Sequence, residues 1–235
     1  MSEIAHIRRL SFWIFIVPLL AINLCLIISQ NYLFLDNTIF SVDMIGRSNF
    51  TIPYLDGSLS ISRASRTFPQ YLIFKPAMLL TSILLIFYWK KNNVLMNHFN
   101  SQKIKNNYFM VFGILSAFFL IIHSMLLGIE TDIKIFKFLR RVVLLSFIIF
   151  EIIAQALLVT NLYKIKSKIV NLFNLKILKL KIILVITLIL VALVSVPVLV
   201  TSGNVHLKHG LEWNYFVGVI LFYLLTSLFW RKIKT

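Results

Sequence analysis

Three ionisable side chains near the end of the chain have the types and the spacing that acid–base chemistry uses. His206, His209 and Glu212 recur at intervals of three residues in the stretch HLKHGLEW. Imidazole and carboxylate groups serve as general acids and bases, and both also bind zinc. On a helix His206 and His209 share one face, but Glu212 lies about 240° round from His206. The three converge only if a loop that ends near Gly210 precedes the helix.

The same residues also have plainer interpretations, which stay open. The two histidines would then be a structural pair in a loop, and Glu212 would be a carboxylate that the helix dipole favours at a helix N-terminus. Trp213, which follows, is typical of a membrane-interface anchor. Because the pattern lacks a third His or a Cys, we predict no metal and no cofactor.

A second group of candidates is basic and lies in GSLSISRASRTFPQYLIFKP, positions 57–76. Arg63, Arg66 and Lys75 stand at the entrance to an apolar segment, close to where a membrane surface would be. Guanidinium groups suit phosphate oxygens, so we predict that these three residues bind a phospholipid headgroup. The alternative is that the two arginines form ion pairs that hold this segment down. The carboxylates available for such pairs are Asp43, Asp56 and Glu212.

Polar side chains inside apolar stretches form a third group, namely His123, Glu151 and Gln155. A charge at the centre of a bilayer costs about 2.5 kcal/mol or more, so such residues face other helices or a water-filled cavity. One interpretation is a neutral Glu151 that is hydrogen-bonded to Gln155 or to His123. The other is a proton relay, or the polar floor of a cavity.

The composition sets the environment in which these groups would act. Of the 235 residues, 59% are hydrophobic and 14% are charged, and the mean hydropathy is +0.89. Soluble domains contain about 25% charged residues, so the sequence predicts a polytopic membrane protein. The net charge of +16 is then explained by basic loops beside anionic lipid and not by nucleic-acid binding, because no polar domain is present. The single cysteine, Cys25, excludes an internal disulfide.

Six apolar stretches reach the length of about 20 residues that a helix needs to cross a bilayer. They lie near 11–29, 71–89, 108–129, 142–163, 182–201 and 214–230. We therefore predict an all-α integral membrane protein, a six-transmembrane-helix bundle in a single domain over 1–235. A folded outer cap loop, 30–70, would join helices 1 and 2. Most Lys and Arg residues fall on one side of the predicted spans, which predicts an N-in/C-in orientation.

One basic loop, YKIKSKIVNLFNLKILKLK at 163–181, mixes lysines with apolar residues. We interpret it as an amphipathic helix that lies on the anionic inner leaflet, or else as a solvated basic connector. Both interpretations place the segment in the cytoplasm.

Two stretches resemble the Frag/DRAM/Sfk family of six-helix membrane proteins. That family includes damage-regulated autophagy modulators and proteins that remodel the lipid of GPI anchors, and it is related to the N-terminal region of Cwh-type proteins. SLSISRASRTFPQYLIFKPAMLL is similar to the segment before the family's second span, and LEWNYFVGVILFYLLTSLFW is similar to its last helix. The matching positions are Ser58, Ser60, Ile61, Ser62, Pro69, Gln70, Phe74 and Lys75 in the first stretch, and Glu212, Trp213, Phe222 and Tyr223 in the second.

The resemblance covers nearly the whole chain in helix count and in the long first outer loop. It implies a protein connected with lipid handling, and it carries no catalytic residue over. Two departures stand out: Lys75 occupies a position where the family often has Arg, and the basic FKFLRR stretch replaces a His often found near the start of the fourth helix.

Together these observations predict a multi-pass membrane protein that binds or positions lipid, or assists lipid remodelling, on the non-cytoplasmic side. One alternative is an intramembrane lipid-modifying enzyme that uses Glu212 with His206 or His209, although no recognisable catalytic motif supports an enzyme. A second alternative is a scaffold that recruits a cytoplasmic partner through 163–181. A bacterial inner membrane is the favoured location, with a eukaryotic endomembrane as the alternative.

Overall fold

The computed structural model describes residues 2–99, 107–129, 133–201 and 203–230. Six of the helices in these ranges are long and apolar enough to cross a membrane, which confirms the predicted all-α six-helix bundle. The helices are α1 (Ser2–Gln30), α2 (Pro53–Asp56), α3 (Ile61–Ser65), α4 (Tyr71–Phe99), α5 (Tyr108–Leu126), α6 (Lys134–Lys164), α7 (Leu175–Val200) and α8 (Val205–Phe229).

The six long helices form a closed ring. Going round it, α1 packs on α4, α4 on α5, α5 on α6, α6 on α7, α7 on α8, and α8 returns to α1. The most apolar part of α7 is only 11% buried, against 39% in each of the other five. The ring therefore has an interior in which side chains from opposite helices meet, and α7 is its least enclosed member.

Several helices extend further than the apolar stretches predicted. Helix α6 begins at Lys134 and α8 begins at Val205, about two turns before the predicted spans at 142 and 214. Hydropathy identifies only the part of a helix that lies in the hydrocarbon of the bilayer. The backbone hydrogen bonds of the helix continue through the polar residues on either side of that part. As a result His206, His209 and Glu212 all lie on the first turns of α8, not in a loop that precedes it.

Residues 31–70 form a folded cap between α1 and α4. Pro53 begins α2 at a position where its missing N–H costs nothing, and Gly57, with φ of 60°, ends it in the left-handed conformation. The Ser60 hydroxyl then caps α3 by accepting the N–H of Arg63 at 3.1 Å. Turn-forming residues therefore begin and end two short helices within the roughly forty residues that join the first two spans.

The cap is attached to the end of α1 by hydrogen bonds to its last turn. Ser29 Oγ donates to the carbonyl of Gly46, and the Ser48 N–H donates to the Ser29 carbonyl at 3.0 Å. Gln30 Nε2 donates to the Thr51 carbonyl at 2.7 Å. Polar residues that end α1 thus hold the cap against the bundle, as the prediction of a folded outer loop required.

The connection between α6 and α7 is not the interfacial helix that the sequence suggested. Helix α6 runs to Lys164, a 3-10 turn covers Val170–Leu172, and α7 begins at Leu175. Ile165, Ile169 and Phe173 between them are buried, and Phe173 forms an antiparallel bridge with Trp230. These apolar side chains pack on the bundle itself, so they do not form one face of a helix on a leaflet.

Candidate functional site

The first turns of α8 form a joint with the cap. His209 Nδ1 lies 3.0 Å from the carbonyl oxygen of Gly57, and Trp213 Nε1 donates to the carbonyl of Leu59 at 2.7 Å. The Tyr54 ring meets the Trp213 ring edge-on, with 4.7 Å between ring centroids. His209 and Trp213 therefore bind the backbone of the cap.

Glu212 is also part of this joint. Its carboxylate lies beside the backbone N–H groups of Ile61 and Ser62, in the first turn of α3. Glu212 therefore lies beside the N-terminus of α3, whereas the dipole interpretation placed it at the N-terminus of its own helix, which begins earlier, at Val205. His206 is exposed. Among the residues that the structure describes, no group of three or more His, Cys, Asp or Glu side chains could hold a metal ion.

The serines of the predicted family motif have structural roles in the cap. Ser58 donates its N–H and its hydroxyl to Asp56 Oδ1, at 2.8 and 2.7 Å. These hydrogen bonds hold the pKa of the Asp56 carboxyl below its usual range. Ser60 caps α3 with its side chain, whereas Ser62 contributes a backbone N–H to Glu212.

The last residues of that motif lie where the cap enters α4. The Phe68–Pro69 peptide is cis. Gln70 is fully buried, and its carbonyl accepts a hydrogen bond from the thiol of Cys25 at 3.4 Å. Gln70 therefore links the cap, α1 and the start of α4.

The three predicted headgroup ligands do not share one site. Arg63 is exposed, and its Nε donates to the carbonyl of Ile45 at 3.0 Å, within the cap. The main chain of Arg66 and the side chain of Lys75 instead both lie against the turn after α5. A Cβ at Gly128 would lie 2.7 Å from the Arg66 carbonyl oxygen and 3.9 Å from Lys75 Cε.

Two arginines that were not predicted as ligands, Arg140 and Arg141, also belong to this second location. Arg140 lies near the start of α6, and the charges of Arg66 and Arg141 both act on it. Arg66, Lys75, Arg140 and Arg141 are called the basic cluster. Arg66 Nε is buried and has no hydrogen-bond partner among the described residues. The described carboxylates, which do not include Glu130 and Asp132, form no ion pair with the cluster.

Arg63 faces a separate cleft in the cap with a volume of about 360 Å³. The cleft lies between the turn after α1 and the beginning of α3. Its lining residues are Tyr32, Arg47, Ser48, Asn49, Thr51, Ser58, Leu59 and Arg63. Arg47 was not among the predicted site residues. Because Arg47 and Arg63 are far apart in the sequence, no local pattern indicated that they line the same cleft.

The interior of the bundle contains a hydrogen-bonded carboxyl group. Glu151 is 1% exposed and accepts from Gln155 Nε2 at 3.0 Å, as one interpretation of the sequence proposed. Ser116 Oγ lies 2.5 Å from Glu151 Oε2, and the Tyr223 hydroxyl donates to Oε1. His123 is not a partner of Glu151, and its buried Nδ1 has no hydrogen-bond partner among the described residues.

Lys181 is the buried charge that the sequence analysis missed. It was counted within the basic segment 163–181, but it is 0% exposed and faces the bundle interior. Its Nζ donates to Thr226 Oγ1 at 2.7 Å and lies 4.0 Å from the centroid of the Phe222 ring. Thr226 Oγ1 is in turn 3.4 Å from the hydroxyl of Tyr88.

Comparison with protein families, with curated proteins and with solved structures finds no match for this chain. The fold and the sites therefore define the class, a multi-pass membrane protein with a folded cap.

Proposed function

We propose that this multi-pass membrane protein binds an anionic phospholipid on the non-cytoplasmic side, with the headgroup at the basic cluster. The observation that carries the proposal is the buried Nε of Arg66, which has no hydrogen-bond partner among the described residues. A buried donor without an acceptor costs about 1–3 kcal/mol, and a phosphate oxygen would remove that cost. The neighbouring Arg140 adds a second guanidinium group.

The surroundings of the cluster suit a lipid better than a free anion. Lys75 and Arg140 lie on membrane-spanning helices, near the end that carries the cap. At the same ends of α4, α5 and α6, Leu72, Met125 and Phe138 expose 48%, 58% and 68% of their surface. Acyl chains would pack against these apolar side chains while the phosphate meets the cations.

The resemblance to the Frag/DRAM/Sfk family agrees with a role in lipid handling. The N-in/C-in orientation agrees with it as well, because it places the cap and the basic cluster on the non-cytoplasmic side, in a bacterial inner membrane or an endomembrane. The lysines of 163–181 that are exposed, such as Lys176 and Lys179, would then contact the anionic inner leaflet. Glu212 lies beside the backbone N–H groups at the start of α3, which supports a structural role for this residue in holding the cap.

The proposal is tested with the purified protein in nanodiscs of mixed phosphatidylglycerol and phosphatidylcholine. The lipids that stay bound after extraction are counted by native mass spectrometry. The double variant Arg66→Gln, Arg140→Gln should lose the preference for phosphatidylglycerol by about 10–100-fold, since hydrogen bonds to charged groups contribute about 1.5–3 kcal/mol. Arg9→Gln removes an exposed arginine of α1 and is the matched control. An unchanged preference in the double variant would refute lipid binding at this cluster.

A further inference from the structure

The cleft in the cap shares no residue with the basic cluster, and its lining has a different chemistry. Seven of its lining side chains carry a hydroxyl, an amide or a guanidinium group, and the one apolar lining residue is Leu59. A volume of about 360 Å³ lies in the range of small-molecule sites.

One arginine of the cleft is fixed in place by its own partners. Arg47 Nε donates to the carbonyl of Val42 at 2.8 Å, and its NH2 group forms an ion pair with Asp36 at 2.9 Å. The guanidinium also lies 4.8 Å from the centroid of the Tyr32 ring. Arg47 is therefore preorganised as a donor, and Asp36 balances its charge.

The second arginine contributes a charge that no described residue balances. Arg63 is held by one hydrogen bond, from Nε to the Ile45 carbonyl at 3.0 Å. The described carboxylates form no ion pair with it. Asp56 lies close along the chain, but the N–H groups of Ile52 and Ser58 and the Ser58 hydroxyl occupy its oxygens. The cleft thus presents one net positive charge on two guanidinium forks.

The remaining lining groups suit a ligand that carries hydroxyl groups. Tyr32, Ser48 and Thr51 contribute hydroxyl groups, Ser58 contributes a hydroxyl oxygen that remains an acceptor because its hydrogen goes to Asp56, and Asn49 contributes an amide. Guanidinium forks recognise phosphate, and hydroxyl and amide groups recognise a polyol. From these two features together we infer that the cleft is a binding site for a phosphate ester of a polyol or sugar.

Two sources could supply this chemistry: the headgroup of a lipid, or a soluble polyol phosphate. The site differs from the proposed lipid site in that no described membrane-spanning helix lines the cleft. Binding in the cleft and binding at the basic cluster are therefore separable by mutation. Arg63 belongs to the first, and Arg66 to the second.

The test uses the full chain in detergent and isothermal titration calorimetry with sn-glycerol 3-phosphate, inorganic phosphate and glycerol as probes. We expect glycerol 3-phosphate to bind more tightly than either of its parts. Arg63→Gln should weaken that binding by about tenfold or more, because it removes the unbalanced charge. Asn49→Trp fills the cleft without changing its charge and should weaken binding as much. Arg9→Gln removes an exposed arginine of α1 that belongs to neither site; it is the matched control and should leave binding within about twofold of the wild-type value.

Each outcome decides one part of the inference. If glycerol 3-phosphate fails to bind but nanodiscs of phosphatidylglycerol show retention that depends on Arg63 and Asn49, the source is a lipid headgroup. Equal affinity for phosphate and for glycerol 3-phosphate would refute recognition of the polyol. Binding that survives both Arg63→Gln and Asn49→Trp, with unchanged thermal unfolding midpoints, would overturn the site. Neither result depends on whether lipid binds at the basic cluster.

Discussion

Replacing Glu151 by Leu should destabilise the bundle much more than replacing it by Gln. The Glu151 carboxyl receives hydrogen bonds from three side chains on three helices: Ser116 on α5, Gln155 on α6 and Tyr223 on α8. Leu fills a similar volume but leaves all three without this acceptor. Gln keeps one carbonyl oxygen for Tyr223 and Gln155, and its amide can donate to Ser116.

The magnitude follows from the number of hydrogen bonds that cross between helices. Interhelical hydrogen bonds in membrane proteins contribute about 0.6 kcal/mol on average and about 1.7 kcal/mol at most. Two of the three bonds at Glu151 cross between helices, so Glu151→Leu should cost about 1–3 kcal/mol. Glu151→Gln should cost less than about 1 kcal/mol, since it retains the acceptor that Tyr223 uses.

The measurement is reversible unfolding in mixed micelles, with Ile149→Leu as the control on the lipid-exposed side of the same helix. Tyr223→Phe completes a double-mutant cycle with Glu151→Leu, and the expected coupling is about 0.6–1.7 kcal/mol. Equal destabilisation by the Leu and Gln variants would show that the carboxyl is needed for its charge and would refute an account based on hydrogen bonds. A cycle with no coupling would refute it as well.

Two further changes test the cap and the orientation. Gly57→Ala should destabilise the cap by about 1–3 kcal/mol, because φ is 60° and a Cβ would lie 1.8 Å from a carbonyl oxygen of α8. Limited proteolysis should then cleave the cap faster than in the wild-type protein. Gly210→Ala is the control and should leave the cleavage rate unchanged, because its Cβ would meet only ordinary contacts. In intact cells, Thr38→Cys should react with a membrane-impermeant maleimide, whereas Ser167→Cys should not. Cys25 is buried, so the protein without either substitution gives the background labelling. Labelling of Ser167→Cys but not of Thr38→Cys would contradict the N-in/C-in orientation.

Hydropathy was sufficient to predict the six spans, because crossing a bilayer demands about 20 apolar residues whatever the neighbours are. It was not sufficient to assign Glu212. One interpretation of the sequence placed its carboxylate at the N-terminus of its own helix. The helix start that it lies beside is that of α3, whose residues Ile61 and Ser62 lie far back in the chain. Pairings at that separation are decided by how the ring of helices closes, and no local pattern contains that information.

Lys181 was misassigned although the sequence contained a signal for it. The buried positions Leu178, Lys181, Val185 and Leu188 are spaced by three, four and three residues, which is the pattern of one helix face. Lys176 and Lys179 are exposed, and Lys181 lies about 200° round the helix from Lys179. Grouping the lysines by their nearness in sequence hid this difference.

The basic cluster was only half predicted for a related reason. Arg66 and Lys75 were expected to belong with Arg63, because all three are close in sequence, whereas the Arg63 side chain turns into the cap cleft. Arg140 lies on a different helix, α6. The packing of α6 against α5 brings it to Arg66, and hydropathy does not report which helix ends are neighbours.

The contacts between the cap and α8 determine when, during synthesis, the cap can be covered. The contact between His209 and Gly57 spans 152 positions, and that between Asn214 and Tyr54 spans 160. At about 5–20 residues per second, a ribosome needs about 8–30 s to make the intervening chain. For that interval the newly made cap has no α8 to dock on, and its apolar side chains are uncovered. Helix α8 therefore closes the ring of helices, and a nascent chain stalled before α8 would present the cap to chaperones and proteases.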